Sequence, residues 1–423
     1  MVILSAHKYY FRGGGTATYL FTVTRELEAR GHQVIPFTVA YAQTEAPREY
    51  ERFWVSPPTA DAASTHFRHL RRTPANALRL LGRATYSLEA RRKAASLIAE
   101  AGVELAYLHN VYNYMSPSLI HACRDAGVPV VMRVADYNLL CPEYSCFRRG
   151  RPCTACVGRG YLQALPRRCV KGSLAATAAR VFSMYVHRWL RIYQHIQRFI
   201  TPSRFMRDLM IQGGFPPDRI THVPSCYEAG ADAQSLSTRP RTHLLYFGRV
   251  SPEKGLDVLI RALALLRPEV ELLIAGGDRQ GETQRLQALC AQLGLEQVRF
   301  LGHCSREQVE ELVAGALFTV FPSRWYDNCP MAILESYAQG TPVLAARIGG
   351  IPEQVDEGTG WLFEPGDPED LARQMKAALA QPALLASQGA AAREKIRTVY
   401  SVARHVSELE RLFAEAVSPR PGT

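Results

Sequence analysis

Short apolar, β-prone runs alternate with stretches of helical periodicity, and the alternation is made twice along the chain. "MVILSAH" (1–7) is followed by the glycines of "FRGGG" and then by "TATYLFTVTRELEARGHQV". In the latter Leu20, Val23 and Leu27 fall on one helical face, and Gly31 is placed to stop the helix. "HQVIPFTV", "VELAYLHN" and "VPVVMRVAD" read as further strands, with "SPSLIHACRDAG" a helix between the last two. "QRFITPS" and "DRITHVPS" read as two more strands around a helix at 203–213. Strand and helix in strict alternation predict parallel sheets with helices on both faces.

The rhythm breaks at 225–242, "SCYEAGADAQSLSTRPRT", which is small, polar and aperiodic, and reads as a linker. It then resumes with "HLLYFGRV", "VELLIAGG", "VRFLGHC", "LFTVFPS" and "TPVLAA" as strands, separated by helical segments. A chain of 423 residues exceeds what one hydrophobic core sustains. The expectation is an α/β chain of two doubly wound, Rossmann-like domains, residues 1–224 and 243–395, facing each other across a cleft at the carboxyl ends of their strands. Two helices are expected at about 368–380 and 401–417. The terminal segment 396–423 is expected to pack back toward the first domain.

Charge is uneven. The net charge is +11, and the segment from Arg133 to Arg204 holds thirteen Lys/Arg against two acids, Asp136 and Glu143, so the remainder is near neutral. A second basic run lies at 67–93. A basic first half suits an anionic partner, such as a membrane surface, a lipid phosphate or nucleic acid; a solvated helix face accounts for it equally simply. Nucleic acid ranks low, because no aromatic interleaving or nucleic-acid motif accompanies the charge. No apolar run approaches the ~20 residues of a membrane span. The opening "MVILSAHKYYFRGGG" lacks a basic leader and a cleavage site, so a cytoplasmic location is expected.

Two stretches of the second half carry chemistry. In "FGRVSPEKG" Gly248 permits a tight turn, while Arg249 and Lys254 bring two cations to a strand tip beside a helix start, a combination suited to a diphosphate, with a surface turn carrying two solvated cations as the plain alternative. In "PSRWYDNCPMAILESYAQGTPVLAARIGGIPE" Pro330 stands where a helix begins and its missing N–H costs nothing. Asp327 precedes that turn, and Glu335 lies eight residues later among apolar neighbours, where a solvated helix carboxylate is the plain alternative to a binding role.

These pieces, with "GGGTATYL", "LHNVYN", "AGG" and "FLGH", resemble the GT-B glycosyltransferases, and specifically glycosyltransferase family four, over nearly the whole chain. The resemblance implies a retaining transfer of sugar from a nucleoside-diphosphate donor of UDP or GDP type to a glycan or lipid-linked acceptor, in cell-surface polysaccharide synthesis. It implies that Arg249 and Lys254 hold the diphosphate and that Glu335 binds the ribose. The Asn328–Met331 loop (Asn328, Cys329, Pro330, Met331) would contact sugar and phosphate, and Gly302 and His303 would lie near the base. Gly14 and Gly15 would close the cleft from the first domain, with Gly248 and Gly276 lining the donor side. No Asp-x-Asp motif occurs, so no cofactor is expected for catalysis, Arg249 and Lys254 standing in for a metal ion.

Two departures from the family pattern matter. Its paired acids read Glu, seven residues, Glu, whereas here the first is Asp327. Its histidine within the "VADYN" segment is replaced by Ala135, leaving Asp136, Tyr137 or the leaving phosphate to take its part. His109, at a strand end, is a second cleft candidate. The pattern also resembles a cysteine-rich-insert subset. There Cys141, Cys153, Cys156 and Cys169, in an insert at 141–172, would hold a structural zinc; Cys146 is extra, and free or redox-paired thiols or an iron–sulfur cluster are the alternatives. Beyond the insert, Val181, Tyr185, Trp189, Ile192 and Ile196 fall on one helical side and Arg180, His187, Arg191 and Arg198 on another, as an amphipathic helix on an anionic membrane would or a core-facing helix with a wet basic face. A GT-B epimerase and a non-catalytic sugar-nucleotide binder are the competing functions.

Overall fold

A computed structural model describes residues 1–11, 14–57, 73–112, 115–230, 240–267, 269–278 and 281–418; part of the second basic run and of the linker falls outside them. Strands β1 (Val2–His7), β2 (Gln33–Phe37), β3 (Leu105–His109), β4 (Val130–Arg133), β5 (Phe147–Arg148), β6 (Arg151–Pro152), β7 (Arg198–Thr201) and β8 (Ile220–His222) belong to the first half. Strands β9 (His243–Phe247), β10 (Glu271–Ala275), β11 (Val298–Gly302), β12 (Ala316–Phe321), β13 (Val343–Ala346) and β14 (Gly360–Phe363) belong to the second. Two six-stranded sheets result, β2-β1-β3-β4-β7-β8 and β11-β10-β9-β12-β13-β14, and every pairing in them is parallel.

Central parallel strands are covered on both faces, so they are apolar almost throughout. All five residues of β3 and the last four of β9 are buried. In each sheet the strand order reverses beside the first strand, between β1 and β3 and between β9 and β12, and crevices open at the carboxyl ends of strands at such points.

The last helix, Val402–Val417, returns to the first sheet. Its Val406, Leu409, Leu412 and Phe413 share a core with Ile3, Tyr19, Val23 and Tyr107. His405 fixes its register: Nδ1 lies 2.8 Å from the Pro224 carbonyl, which requires the proton there, so Nε2 accepts from the Tyr19 hydroxyl at 2.7 Å. A helix at Pro382–Thr398, not among the expected elements, precedes it.

The amphipathic reading of the segment after the insert is corrected. The helix runs Leu174–Trp189, and Arg191 adopts a left-handed backbone (φ 52°) just beyond it, so Ile192 and Ile196 lose helical phase with Val181. Val181, Met184 and His187 face inward, His187 Nε2 meeting the Thr85 carbonyl at 2.7 Å, whereas Trp189 is 80% exposed.

The domains are joined by a helix cap that crosses between them. Glu353, from the short helix Ile351–Gln354, accepts the backbone N–H groups of Arg204 and Phe205, both at 2.8 Å, at the start of the Arg204–Gln212 helix. A carboxylate there satisfies two otherwise orphaned donors and opposes the positive end of the helix dipole. Nearby, a Cβ on Gly350 would lie 2.7 Å from Ser203 Cβ and 1.8 Å from the Asn328 carbonyl oxygen, so only glycine admits this approach. Glu353→Ala should therefore lower stability by about 1 kcal/mol in urea denaturation; an unchanged midpoint would show that the cap contributes nothing.

Candidate active site

Two cavities open between the sheets and meet at Gly15, which lines both. The smaller, about 340 Å3, is walled by Gly14 and Gly15 from the first domain and by Gly248, Gly276, His303 and Glu335 from the second. The larger, about 1040 Å3, lies between Ala135–Asp136–Tyr137 on one side and Arg249 with Asp327–Met331 on the other, and reaches outward between the Pro74–Thr85 and Leu174–Trp189 helices. The expected donor residues are thus gathered, with Gly302 at the end of β11, adjacent to His303. Gly276 is where two strand-end loops touch: a Cβ there would lie 1.7 Å from the Gly248 carbonyl oxygen.

At the junction two helix N-termini converge. The Gly15–Ala29 helix starts from Gly14, and the Met331–Ala338 helix from Pro330; neither has a side-chain cap. Added to Gly15, a Cβ would fall 2.8 Å from Met331 Cγ, so the first turns face one another at contact distance. Uncapped N–H groups with the positive ends of two helix dipoles form a natural seat for an anion.

The cations are arranged differently from one another. Arg249 lines the larger cavity, is 63% exposed, and lies 3.4 Å from Glu253. Lys254 is committed to Asp327: Nζ lies 3.1 and 2.9 Å from the two carboxylate oxygens and 5.2 Å from the centre of the Trp325 ring, and the Ser323 hydroxyl donates to Asp327 Oδ2 at 2.6 Å. Lys254 therefore positions Asp327, and through it the Asp327–Met331 turn.

Glu335 sits inside the smaller cavity. Burial raises its carboxyl pKa to about 7, against the opposing pull of nearby Arg306. Hydroxyl donors placed beside it would favour its ionised form and offset part of the cost of burial.

Ala135 keeps its place at the cavity wall through its backbone: its carbonyl accepts from Asn328 Nδ2 at 2.9 Å. The Tyr137 hydroxyl donates to Asn328 Oδ1 at 2.6 Å and lies 2.9 Å from the Tyr326 carbonyl. Of the candidates to act for the absent imidazole, Asp136 lines the cavity; burial raises its pKa, opposed by hydrogen bonds from Asn138 and by Lys8 and Arg180. His109 lines neither cavity. It is buried beneath the cleft floor, edge-on to Tyr107 with ring centres 4.1 Å apart, and burial pushes its pKa well down, so it is a neutral floor residue.

Cys141, Cys146, Cys153, Cys156 and Cys169 line one small cavity in the insert, and all ten cysteines are free thiols. Cys146 hydrogen-bonds Cys141, whose thiol is lowered to about 6 by that bond and by backbone bonds from Cys146, Glu143 and Tyr144. Among the described residues no group of three or more His, Cys, Asp or Glu is arranged to hold a metal ion. The four expected zinc ligands thus line one cavity together with Cys146.

Sequence reasoning missed Arg133, which lines the larger cavity, stacks 3.8 Å over the Tyr19 ring and donates to Ser225 Oγ at 2.7 Å. A cation closing the otherwise apolar run "VPVVMRVAD" was its signal. Arg180, assigned to a wet face, is also in the cavity wall.

A pH test follows from Glu335. Its pKa is raised on folding, so the buried charge costs stability as pH rises from about 4.5 through about 7. Glu335→Gln should be more stable than wild type at pH 8, by on the order of 2 kcal/mol, and equal to it at pH 4. A difference independent of pH would contradict the assignment.

The family described as "Glycosyl transferase 4-like domain" matches residues 14–226, and that described as "Glycosyl transferases group 1" matches 231–395. The chain is 38% identical over 160 residues to the D-inositol 3-phosphate glycosyltransferase of Streptomyces avermitilis, a stretch covering 35% of this chain and 34% of that protein. It is 35% identical over 189 residues to the enzyme of the same name from Acidothermus cellulolyticus, covering 40% and 41%. The match thus spans well under half the length of these relatives. Among solved structures, sucrose-phosphate synthase from Thermosynechococcus elongatus superposes with a TM-score of 0.69 at 19% identity, over 98% of both chains. Anabaena HepE in complex with UDP gives 0.67 at 19% identity, over 98% of this chain and 100% of that one. The fold is GT-B, and the chain belongs to the family-four-type glycosyltransferases, with the glycosyl transferase 4-like domain first and the group 1 domain second.

Proposed function

We propose that the protein transfers a sugar from a nucleoside-diphosphate sugar to a glycan or lipid-linked acceptor, with retention of anomeric configuration. The observation that carries this is the meeting of the two cavities at the paired helix N-termini of Gly15 and Met331. The smaller cavity takes the nucleoside, with Glu335 accepting the ribose hydroxyls and His303 beside the base. The diphosphate lies at the junction, toward Arg249, and the sugar extends toward Asp327, Asn328 and Ala135. A UDP donor is favoured, because the HepE structures were obtained with UDP and with UDP-glucose.

In the reaction the bond from the anomeric carbon to the diphosphate oxygen breaks and a bond to the acceptor hydroxyl oxygen forms on the same face. Charge develops on the leaving diphosphate, where Arg249 and the two helix N-termini are already oriented toward it. The acceptor proton passes to the leaving phosphate oxygen, which supplies what Ala135 cannot. Asp327 and Asn328 are held by partners that do not change during this step, so they orient the sugar at no further cost.

Attachment to an anionic membrane surface fits the exposed face of the Leu174–Trp189 helix, where Phe182 and Trp189 are exposed beside Arg188. Among the described residues no helix is long and apolar enough to cross a membrane. Trp189→Ala should reduce co-sedimentation with vesicles rich in anionic lipid; equal sedimentation would reject the attachment.

With a panel of nucleotide sugars, release of nucleoside diphosphate should appear with one donor class and persist in EDTA. Arg249→Ala should lower kcat/KM by about 100-fold. Donor binding without any release would favour a binder over an enzyme. Release accompanied by epimerised free sugar and no glycoside would favour an epimerase.

A further inference from the structure

The cleft floor holds one cation that the donor seat described above does not use. Arg133 closes β4 and lines the larger cavity, and its guanidinium lies 3.8 Å over the ring of Tyr19, one helical turn beyond Gly15. Nη2 donates to Ser225 Oγ at 2.7 Å. Ser225 in turn hydrogen-bonds Cys329 through its backbone and its side chain, in the turn that leads into the Met331–Ala338 helix. Arg133 thus stands between the two helix starts at which the cavities meet. Its Nε is shut off from solvent, whereas Nη1 has no hydrogen-bond partner among the described residues and is not sealed, so it is the nitrogen that a ligand in the cavity can reach.

The charge is uncompensated. Among the described residues no carboxylate pairs with Arg133, and Asp136, three residues on, is faced by Lys8 and Arg180 instead. The titratable groups around the guanidinium are the phenols of Tyr19 and Tyr107, the imidazoles of His7, His109 and His405, and the Cys226 thiol, and burial keeps all of them neutral. A ring face offsets only part of the cost of a buried cation. A fixed positive charge whose surroundings are buried and neutral acts most strongly on an anion that comes to it. The anion seated at this junction is the donor's diphosphate, and its charge grows as its bond to the sugar breaks.

We infer that Arg133 is a further catalytic residue: Nη1 donates to the diphosphate from the first domain, across the cavity from Arg249, and stabilises the charge that develops there. This rests on the transferase reading and deepens it. When the bond from the anomeric carbon to the diphosphate oxygen breaks, its electron pair stays on that oxygen. Arg133 answers with a hydrogen bond and keeps its own proton, while the acceptor hydroxyl gives its proton to the phosphate. Ala135 brings no side-chain donor to this wall, so the first domain's side-chain contribution falls to Arg133.

The test compares UDP with uridine in calorimetric titrations of the full-length protein, because the two ligands differ only in the diphosphate. Arg133→Met should weaken UDP binding by about ten-fold or more and leave uridine binding unchanged, and Arg133→Lys should restore part of the loss. With a donor that turns over, Arg133→Met should lower kcat by about 100-fold, more than it raises KM. A merely structural role would weaken UDP and uridine together, and that result would overturn the inference. A UDP affinity unchanged in the folded Arg133→Met protein would overturn it equally. Where that variant does not fold, the wild-type complex decides: a phosphate oxygen of bound UDP should lie about 3 Å from Nη1. A seated diphosphate with no oxygen at hydrogen-bond distance from Nη1 would also overturn the inference. Failure of the wild type to bind UDP at all would count against the donor reading itself, and is read before any variant is compared.

Discussion

One side chain spans the cleft, and the site is built around it. Asn328 projects from the second domain, donating through Nδ2 to the Ala135 carbonyl and accepting through Oδ1 from Tyr137. Both ends of the amide are satisfied on a single three-residue segment of the first domain, which fixes the distance and the angle between the two sheets at that point. Gly15 can then touch Met331, and two helix N-termini confront the same small volume. Elsewhere the domains are held by the Glu353 cap on the Arg204–Gln212 helix, but this amide is the link at the cleft itself.

Electrostatics complete what the clamp positions. Asp327, one residue before Asn328, is buried and would be costly as a bare charge; Lys254 and Ser323 hold it. The consequence is a division of labour between the two cations of "GRVSPEKG". Arg249 stays exposed in the cavity, beside Glu253. Lys254 supports the turn that carries Asn328 and the start of the Met331–Ala338 helix. The Asp at this position, one methylene shorter than Glu, keeps its ion pair with Lys254 and its hydrogen bond from Ser323.

Much of this was legible in the sequence. Apolar runs such as "VELAYLHN" and "HLLYFGRV" announce buried parallel strands, because a strand covered on both faces has no polar alternation to hide. The strand-end positions of Gly248, Arg249 and Lys254 followed from the same rhythm, whereas Gly14, Gly15, Gly276 and Gly302 were expected from the family resemblance. What local pattern could not reveal is pairing across long sequence separation. Glu353 caps a helix of the other domain, and Asn328 meets Ala135; neither relation leaves a periodic trace. The Leu174–Trp189 helix misled for a different reason. Its apolar stripe was extended past Trp189 because nothing in "HRWLRIYQH" marks the left-handed turn at Arg191, and Arg180 was put in solvent because arginine is rarely buried. The cysteines were rightly grouped by spacing, since five of them share one cavity.

At the position of the family's histidine this chain uses its backbone. Ala135 contributes a carbonyl to the clamp, which any residue could do, and its small side chain leaves room at the cavity wall. The central claim is that the two cavities form one donor site spanning the domains. A crystal structure with bound UDP tests it most directly. The account predicts ribose hydroxyls within hydrogen-bond distance of Glu335 and the diphosphate at the first turns of the Gly15 and Met331 helices. A nucleotide bound elsewhere, or held by one domain with the Gly15 turn left empty, would contradict it.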